Sequence, residues 1–322
     1  MNVRFIFGHL YESELAKDLA TACHHSSTTD TPYRLSYTGH GKSDAFLCPL
    51  VTFFHAAIDL PDAQSFLTYF IGIGAPLVAI PLIESSRAGR SLFIAYPLIF
   101  GLLSQTITVG VTFPIYWLLF IMSGGANNTN PRDAKITQSH AEAIVFGLLI
   151  GAVIPSVGML VLNDPQVTAM WQPYPIYVSI AQLLHLALRP PSKHPQPGYH
   201  TIRFLYLTIF LICSSVHIST IWPFIRDAAT IQKVYLPSTT VPEVSALVGF
   251  RVLHFLKWDL ALGFGASIIA TLWFASNWRE VIAITGWSLI ATPLLGPGAA
   301  LTGSALWRES SLHMGLSKTK QE

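Results

Sequence analysis

The stretch Leu92-Phe-Ile-Ala-Tyr-Pro-Leu-Ile-Phe-Gly-Leu-Leu-Ser-Gln-Thr-Ile-Thr-Val-Gly-Val-Thr-Phe-Pro-Ile-Tyr-Trp-Leu-Leu-Phe-Ile-Met122 carries no charged side chain. About 20 helical residues cross the hydrocarbon core of a bilayer, so this run is longer than one perpendicular crossing needs. Pro97 and Pro114 lie within it and predict either a kink or a chain that turns back into the bundle. Its apolar residues fall all round, without alternation at period two, which fits a helix and not a barrel strand.

The same signature recurs at roughly 45–60, 65–84, 138–162, 168–189, 202–224, 246–275 and 281–306. Together these segments predict an all-α fold, a polytopic transmembrane bundle of about eight helices. The 45–60 segment is short and carries His55 and Asp59, so seven helices is the alternative. The chain divides on this reading into a polar tail (1–44), a transmembrane helical domain (45–307) and a C-terminal tail (308–322). The tail lacks the apolar core of a signal peptide and reads as cytosolic or as an overlong gene product.

Composition agrees with a membrane partner. Asp, Glu, Lys and Arg make up 11% of 322 residues and hydrophobic residues 51%, against about 25% charged in ordinary soluble domains. This excludes a conventional soluble enzyme, a nucleic-acid binder and a disordered chain. With 19 basic and 17 acidic residues, no electrostatic partner is indicated. Cys23, Cys48 and Cys213 show no metal-ligand spacing, and an odd count is a poor disulfide framework. No internal repeat of the inverted-transporter kind is present. Under eight spans, Lys42, Arg87, Arg90, Arg226, Lys233, Arg308, Lys318 and Lys320 share the face of the termini. Arg132, Lys135, Arg189, Lys193, Arg203 and Arg279 occupy the other face. The excess places the termini in the cytosol, in the endoplasmic reticulum membrane, with the Asn127-Asn128-Thr129 glycosylation sequon lumenal.

A charge inside a bilayer costs several kcal/mol, so each intramembrane ionisable residue is a functional candidate. Asp259 lies well inside the seventh segment, and Lys257 is on the opposite side of the same helix, too far round to pair with it. An apolar setting favours the neutral acid, which is the form a proton donor needs; the competing role is a hydrogen bond that holds two helices together. Glu84 and Arg87 stand three apart on one helical face and can pair, as a clamp at a helix end or an oxygen-binding site. Asp59 ends the first segment beside Pro61 and Asp62, where water is within reach. Glu142 and His140 open a helix, where an acid complements the dipole. His185, His217 and His254 read as hydrogen-bonded interior histidines. Tyr116, Trp117, Trp171, Phe255 and Trp258 serve either as packing or as apolar walls whose ring faces stabilise a cation. There is no His-x-x-x-His pair, no Cys/His cluster, no phosphate loop, no G-x-S-x-G and no Asp-rich diphosphate motif, so no metal and no cofactor are expected.

Several motifs occur in order. They are Gly72-Ile-Gly-Ala-Pro76, Pro81-Leu-Ile-Glu-Ser-Ser-Arg-Ala-Gly-Arg90, Tyr96-Pro-Leu-Ile-Phe-Gly-Leu-Leu-Ser-Gln105, Phe113-Pro-Ile-Tyr-Trp117, Trp171-Gln-Pro-Tyr-Pro175 and Trp258-Asp-Leu-Ala-Leu-Gly-Phe-Gly265. In this series, spread over about residues 45–305, the chain resembles the fungal membrane-bound terpene cyclases of the ascofuranone and macrophorin type, with their relatives in indole-diterpene clusters. Arg90 stands where that family more usually has Asn, and Thr106-Ile-Thr108 replaces a Gly-rich continuation. The resemblance implies a prenylated or meroterpenoid substrate dissolved in the bilayer and cyclised after an acid protonates an epoxide or olefin, without metal or diphosphate ionisation. It implies Asp259 as the acid, Glu84 assisting and Arg87 orienting Glu84, with Trp171, Trp258 and Tyr116 as walls; Asp59 as a further catalytic candidate and Trp117 and Phe255 as further walls come from the residues themselves. Other enzymes of the same pathway would be neighbours at the membrane. The same apolar interior would also serve a transporter or export partner for an apolar metabolite, or an inactive scaffold of the same family.

Overall fold

The computed structural model describes residues 3–24, 32–126 and 134–318. These are helical, with one isolated bridge, Thr137 to Pro197. After a π-helical turn at Val3–Gly8 come α1 (His9–Glu12), α2 (Leu15–His24), α3 (Gly41–Ile58), α4 (Pro61–Ile73), α5 (Ala75–Ser85), α6 (Pro97–Thr106), α7 (Val109–Met122) and α8 (Gln138–Gly147). They continue with α9 (Ile154–Leu162), α10 (Pro165–Trp171), α11 (Tyr174–Leu188), α12 (Tyr199–Ile221), α13 (Ala228–Val234), α14 (Val248–Ala270), α15 (Trp278–Leu295) and α16 (Pro297–Lys318). Four helical stretches are long and apolar enough to cross a membrane: Pro61–Ser85, Gln138–Leu162, Tyr199–Phe224 and Val248–Phe274.

The long helices run between two ends of the bundle. At one end lie Glu84, Arg87, Gly125, Ala134, Phe274 and Arg308, linked by direct contacts. The segments before α8 and before α12 join them, through Gln138 N–H donating to the Gln196 carbonyl and Gly198 N–H donating to the Ile136 carbonyl. At the opposite end, Asp62 pairs with Lys233 at 2.7 Å and Ser65 meets Tyr235 at 2.8 Å. Glycines permit the closest approaches. A Cβ on Gly151 would lie 2.2 Å from the Val178 amide nitrogen, so α11 packs directly on the helix that joins α8 to α9, in the small-residue manner of membrane helices.

The Leu92–Met122 run is not one crossing. α6 and α7 fold back on each other, with the Phe100 ring edge-on to Tyr116 at 5.1 Å and Ile94 lining the same small cavity as Ser123 and Gly124. Both arms therefore start and finish at the Glu84 end, and the tip, Ile107–Thr108, lies beside the middle of α14. Chain re-entry, one of the two outcomes that the prolines predicted, is what occurs. The last apolar run also divides: α15 and α16 are separate helices that reverse at Gly296, whose φ of +92° suits glycine. An uninterrupted α16 carries Arg308 and Glu309, so the 307/308 division falls inside a helix.

The first 24 residues are not a detached tail. α1 and α2 form a hairpin, reversing near Glu14 (φ +53°), that packs along α14 and α3. Arg251 on α14 donates to the Ser13 carbonyl at 2.7 Å and pairs with Asp18 at 2.5 Å. His9 Nδ1 lies 2.9 Å from His254 Nε2, and Phe5 stacks on Trp258 at 4.1 Å. A disulfide joins Cys23 to Cys48, contrary to the expectation from the cysteine count: burial of Cys48 against α2 brings together two residues that sequence spacing does not. Cys213 is buried and free.

Closing a loop of 25 residues by a disulfide is worth about 3 kcal/mol. Cys23→Ser should therefore lower the melting temperature of detergent-purified protein, and reductant should lower the wild type to match and leave the variant unchanged. Gly151→Val should abolish the monodisperse folded peak in size-exclusion chromatography, because the new side chain meets backbone and not a movable side chain.

Candidate active site

Two buried polar centres stand inside the bundle, one at each end of α7. The first contains four charges. Glu84 ends α5 and accepts from Arg87 Nε at 3.0 Å and from Arg308 Nη1 at 2.6 Å. Arg87 also donates to Glu309 Oε2 at 2.6 Å and to the Ala134 carbonyl at 2.8 Å. Arg308 donates its other amino group to the Gly125 carbonyl at 2.7 Å, and its guanidinium lies 4.4 Å from the Phe274 ring centre and 5.3 Å from that of Phe120. All four side chains are at most 8% exposed. Burial of this kind is tolerable only when each charge is paired and its remaining donors are satisfied, and two glutamates with two arginines meet that condition at zero formal charge.

Sequence reasoning reached half of this cluster. The i, i+3 pair Glu84–Arg87 forms as the spacing predicted. Arg308 and Glu309 were placed in a tail because the apolar run ends at residue 306. The available signal was that Trp307-Arg308-Glu309 continues a helical pattern directly out of an apolar span. Tyr116 and Tyr206, fully buried, lie within electrostatic reach of Glu84, Arg87 and Arg308. The Tyr116 hydroxyl has no hydrogen-bond partner among the described residues. Trp117 packs edge-on to Phe120 at 5.3 Å and donates to Ser267 at 2.8 Å. A cavity of about 30 Å³ opens on Glu84 and Arg87 between residues 89–94 and 123–125. A second, of about 20 Å³, opens on Glu309 between Ala134–Ile136, Pro197, Tyr199 and His313.

The second centre is Asp259, 6% exposed. Its Oδ1 accepts from the Thr108 hydroxyl and from the Gly110 backbone N–H, so the carboxylate caps the first turn of α7 and faces the positive end of its dipole. A Cβ at Gly110 would lie 3.0 Å from Asp259 and 2.8 Å from Ile6, and that contact closes the site from the N-terminal side. Thr108 holds φ +140°, ψ 156°, a region otherwise kept by glycine and costing about 1–3 kcal/mol. From Gly110 to Phe120 is ten helical residues, about 15 Å, so Asp259 and Glu84 are not neighbours.

The other sequence candidates are dispersed. Trp258 donates to the Ser238 carbonyl at 2.8 Å, and Phe255 meets Phe53 at 5.5 Å. Trp171 packs on Phe54 at 4.9 Å and donates to Ser156 at 2.9 Å. Asp59 is exposed and accepts from Tyr33 at 3.0 Å. Thr137 caps α8, and Glu142 pairs with Arg189 at 2.9 Å and His185 at 3.4 Å. His217 is hydrogen-bonded to Tyr69 and the Pro293 carbonyl. Asn127 lies outside the described residues. Among the described residues no group of three His, Cys, Asp or Glu side chains could hold a metal ion.

Comparison with known proteins places this architecture. The CtvD domain model matches residues 12–312, a span that includes α2 and most of α16. Terpene cyclase ascI of Acremonium egyptiacum is 28% identical over 254 residues, covering 72% of this chain and 66% of that protein. Terpene cyclase ctvD of Aspergillus terreus is 25% identical over 265 residues, 76% of this chain and 74% of the relative. The FAD-dependent monooxygenase verC1 of Penicillium polonicum is 24% identical over 245 residues, which are 71% of this chain but 30% of that longer protein. No solved structure matches the chain significantly. A match of this extent, together with relatives that carry the same name, means that the chain belongs to the CtvD-domain family of fungal terpene cyclases.

Proposed function

We propose that this chain is a membrane-embedded terpene cyclase that isomerises a prenylated or meroterpenoid substrate by protonating an epoxide or olefin, and that Glu309 delivers the proton. The observation that carries the assignment is the unequal use of the two buried glutamates. Both oxygens of Glu84 are held by arginines, whereas Glu309 gives only Oε2 to Arg87. A proton on Oε1 leaves that contact intact, and Arg87 stabilises the carboxylate that remains after transfer. The Phe120, Phe274, Trp117 and Tyr116 rings beside the cluster supply faces that stabilise a carbocation. Named terpene cyclases among the relatives support the reaction class. The matched region of a monooxygenase relative supports a substrate oxygenated before cyclisation, hence the epoxide trigger.

In the bilayer, α4–α5, α8–α9, α10–α11, α12, α14, α15 and α16 are the crossing segments, α6–α7 is a re-entrant hairpin, and α3 packs with the α1–α2 hairpin on the side opposite Glu84. Arg90, Lys135, Arg189, Lys193, Arg203 and Arg279 flank the Glu84 end, against Lys17, Arg34, Arg226 and Lys233 at the other. The charge rule then makes the Glu84 end cytosolic. The Cys23–Cys48 bridge supports a lumenal, oxidising position for the α1–α2 hairpin. This orientation differs from the one inferred from sequence spacing, because re-entry of 92–122 moves every later loop to the other face. The described residues nearest the sequon, Gly125 and Ala134, both lie at the Glu84 end, and this reading therefore expects no glycosylation.

A second reading keeps Asp259 as the donor, with Phe255, Trp258 and Trp171 as its walls. The strained Thr108 at its side favours it, since strain collects at working sites. Microsomes containing the protein, given an epoxidised prenyl-phenol or prenyl-indole, separate the two. Glu309→Gln should lose activity by roughly 100- to 10,000-fold in the folded fraction, with a smaller loss of stability than Arg87→Ala. Asp259→Asn should melt earlier and retain most turnover in the folded fraction. The opposite pattern transfers the acid to Asp259, and absence of any same-mass product from wild type across a substrate panel removes the cyclase reading. Uptake into sealed vesicles driven by a proton gradient would instead indicate a transporter.

Arg87→Ala strands the Glu309 carboxylate and leaves Glu84 with Arg308 alone, and should destabilise the protein by about 3–5 kcal/mol, read as a lower denaturation midpoint. For orientation, endoglycosidase should leave the mobility of the natural protein unchanged, whereas a sequon introduced near Ser238 should produce a shift.

A further inference from the structure

Resting on the assignment of Glu309, we propose that His313 is its proton relay, returning a proton to the carboxylate after each turnover. Glu309 and His313 are four residues apart on α16, so they lie on one helical face, one turn from each other. Both line the same cavity of about 20 Å³, which is bounded by Ala134, Lys135, Ile136, Pro197 and Tyr199. The imidazole is fixed against the Tyr199 ring, stacked at 3.7 Å with 15° between planes. The opposite wall is pinned by backbone hydrogen bonds from Gln138 to Gln196 and from Gly198 to Ile136. His313 is half-buried and Lys135 exposed, so this side of the cluster leads towards the solvent-facing loops. The titratable and charged groups that share the cavity with the imidazole are Glu309 on its own helix, Tyr199 at the start of α12 and Lys135 on the segment before α8.

The reaction requires such a path. Transfer from Glu309 Oε1 breaks its O–H bond, forms an O–H bond on the epoxide oxygen and opens a C–O bond, leaving a carboxylate. Cyclisation ends when a carbon adjacent to the final cation releases a proton at a distant part of the substrate. The overall change is an isomerisation, but the proton leaves at one place and is needed at another. Imidazolium donating to Glu309 and then taking a proton from water restores the acid, and the hydroxide left behind combines with the proton that the substrate releases to water, so the cycle closes with no other reactant. A histidine suits this step because its ring nitrogens can both donate and accept a proton.

The test uses the full-length protein reconstituted in lipid vesicles. Time-resolved infrared spectroscopy after a downward pH jump follows the carboxylic acid band of Glu309, identified by its loss in Glu309→Gln. His313→Ala and the volume-conserving His313→Gln should both slow the appearance of this band about tenfold or more, and imidazole in the buffer should restore the rate. In turnover, the same variants should lower kcat with KM unchanged. Equal band kinetics in wild type and both variants, or a slowed rate that imidazole fails to restore, would overturn the relay. Since the infrared measurement needs no substrate, the relay can fail while cyclisation stands, or stand while the cyclase assignment fails.

Discussion

The constraint on which this molecule depends is that buried charges must neutralise one another when water cannot. Glu84, Arg87, Arg308 and Glu309 come from opposite thirds of the chain, and α5 and α16 can bury these residues only together. The arginines spend their remaining donors on the carbonyls of Ala134 and Gly125, which ties two loops to the cluster. That cluster therefore determines where the chain re-enters after α5, where α7 ends and how α16 is rotated. A pairing this complete makes a rigid site more than a stable one, since hydrophobic residues of equal volume could stabilise the same space as well.

Asp259 shows the same constraint acting on backbone. A helix that begins inside a low-dielectric bundle exposes N–H groups with no partner. α7 starts at mid-depth because α6 and α7 turn there, and Asp259 supplies the missing acceptor. An acceptor at that position is what lets the hairpin end where it does. Gly110 is required for the approach, and the strain at Thr108 is the local cost of so tight a reversal.

Helical class, most helix positions and the i, i+3 pair at Glu84–Arg87 were legible because each depends on residues close in sequence. Hydropathy periodicity reports how apolar a segment is and not where the segment turns, so 92–122 and 281–306 each looked like one helix. Pro97, Pro114 and Pro293 held part of that information, but proline permits a reversal and does not require it. Arg308, Glu309 and the Cys23–Cys48 bridge depend on contacts across the fold, and no local pattern encodes them. The roles expected of Trp171 and Trp258 rested on motif order, and that of Phe255 on aromatic clustering, neither of which gives the direction of a ring.

The N-terminal hairpin bears on how the protein is made. His9 meets His254 across 245 residues of chain, so the surface on which the hairpin rests does not exist when the hairpin leaves the ribosome. At ordinary synthesis rates the wait is roughly 10 to 50 s. Cys48 follows Cys23 by only 25 residues, and the bridge between them can form long before α14 is translated. The first covalent cross-link thus holds the hairpin beside α3 as a stored part, and the last third of the chain completes the groove around it.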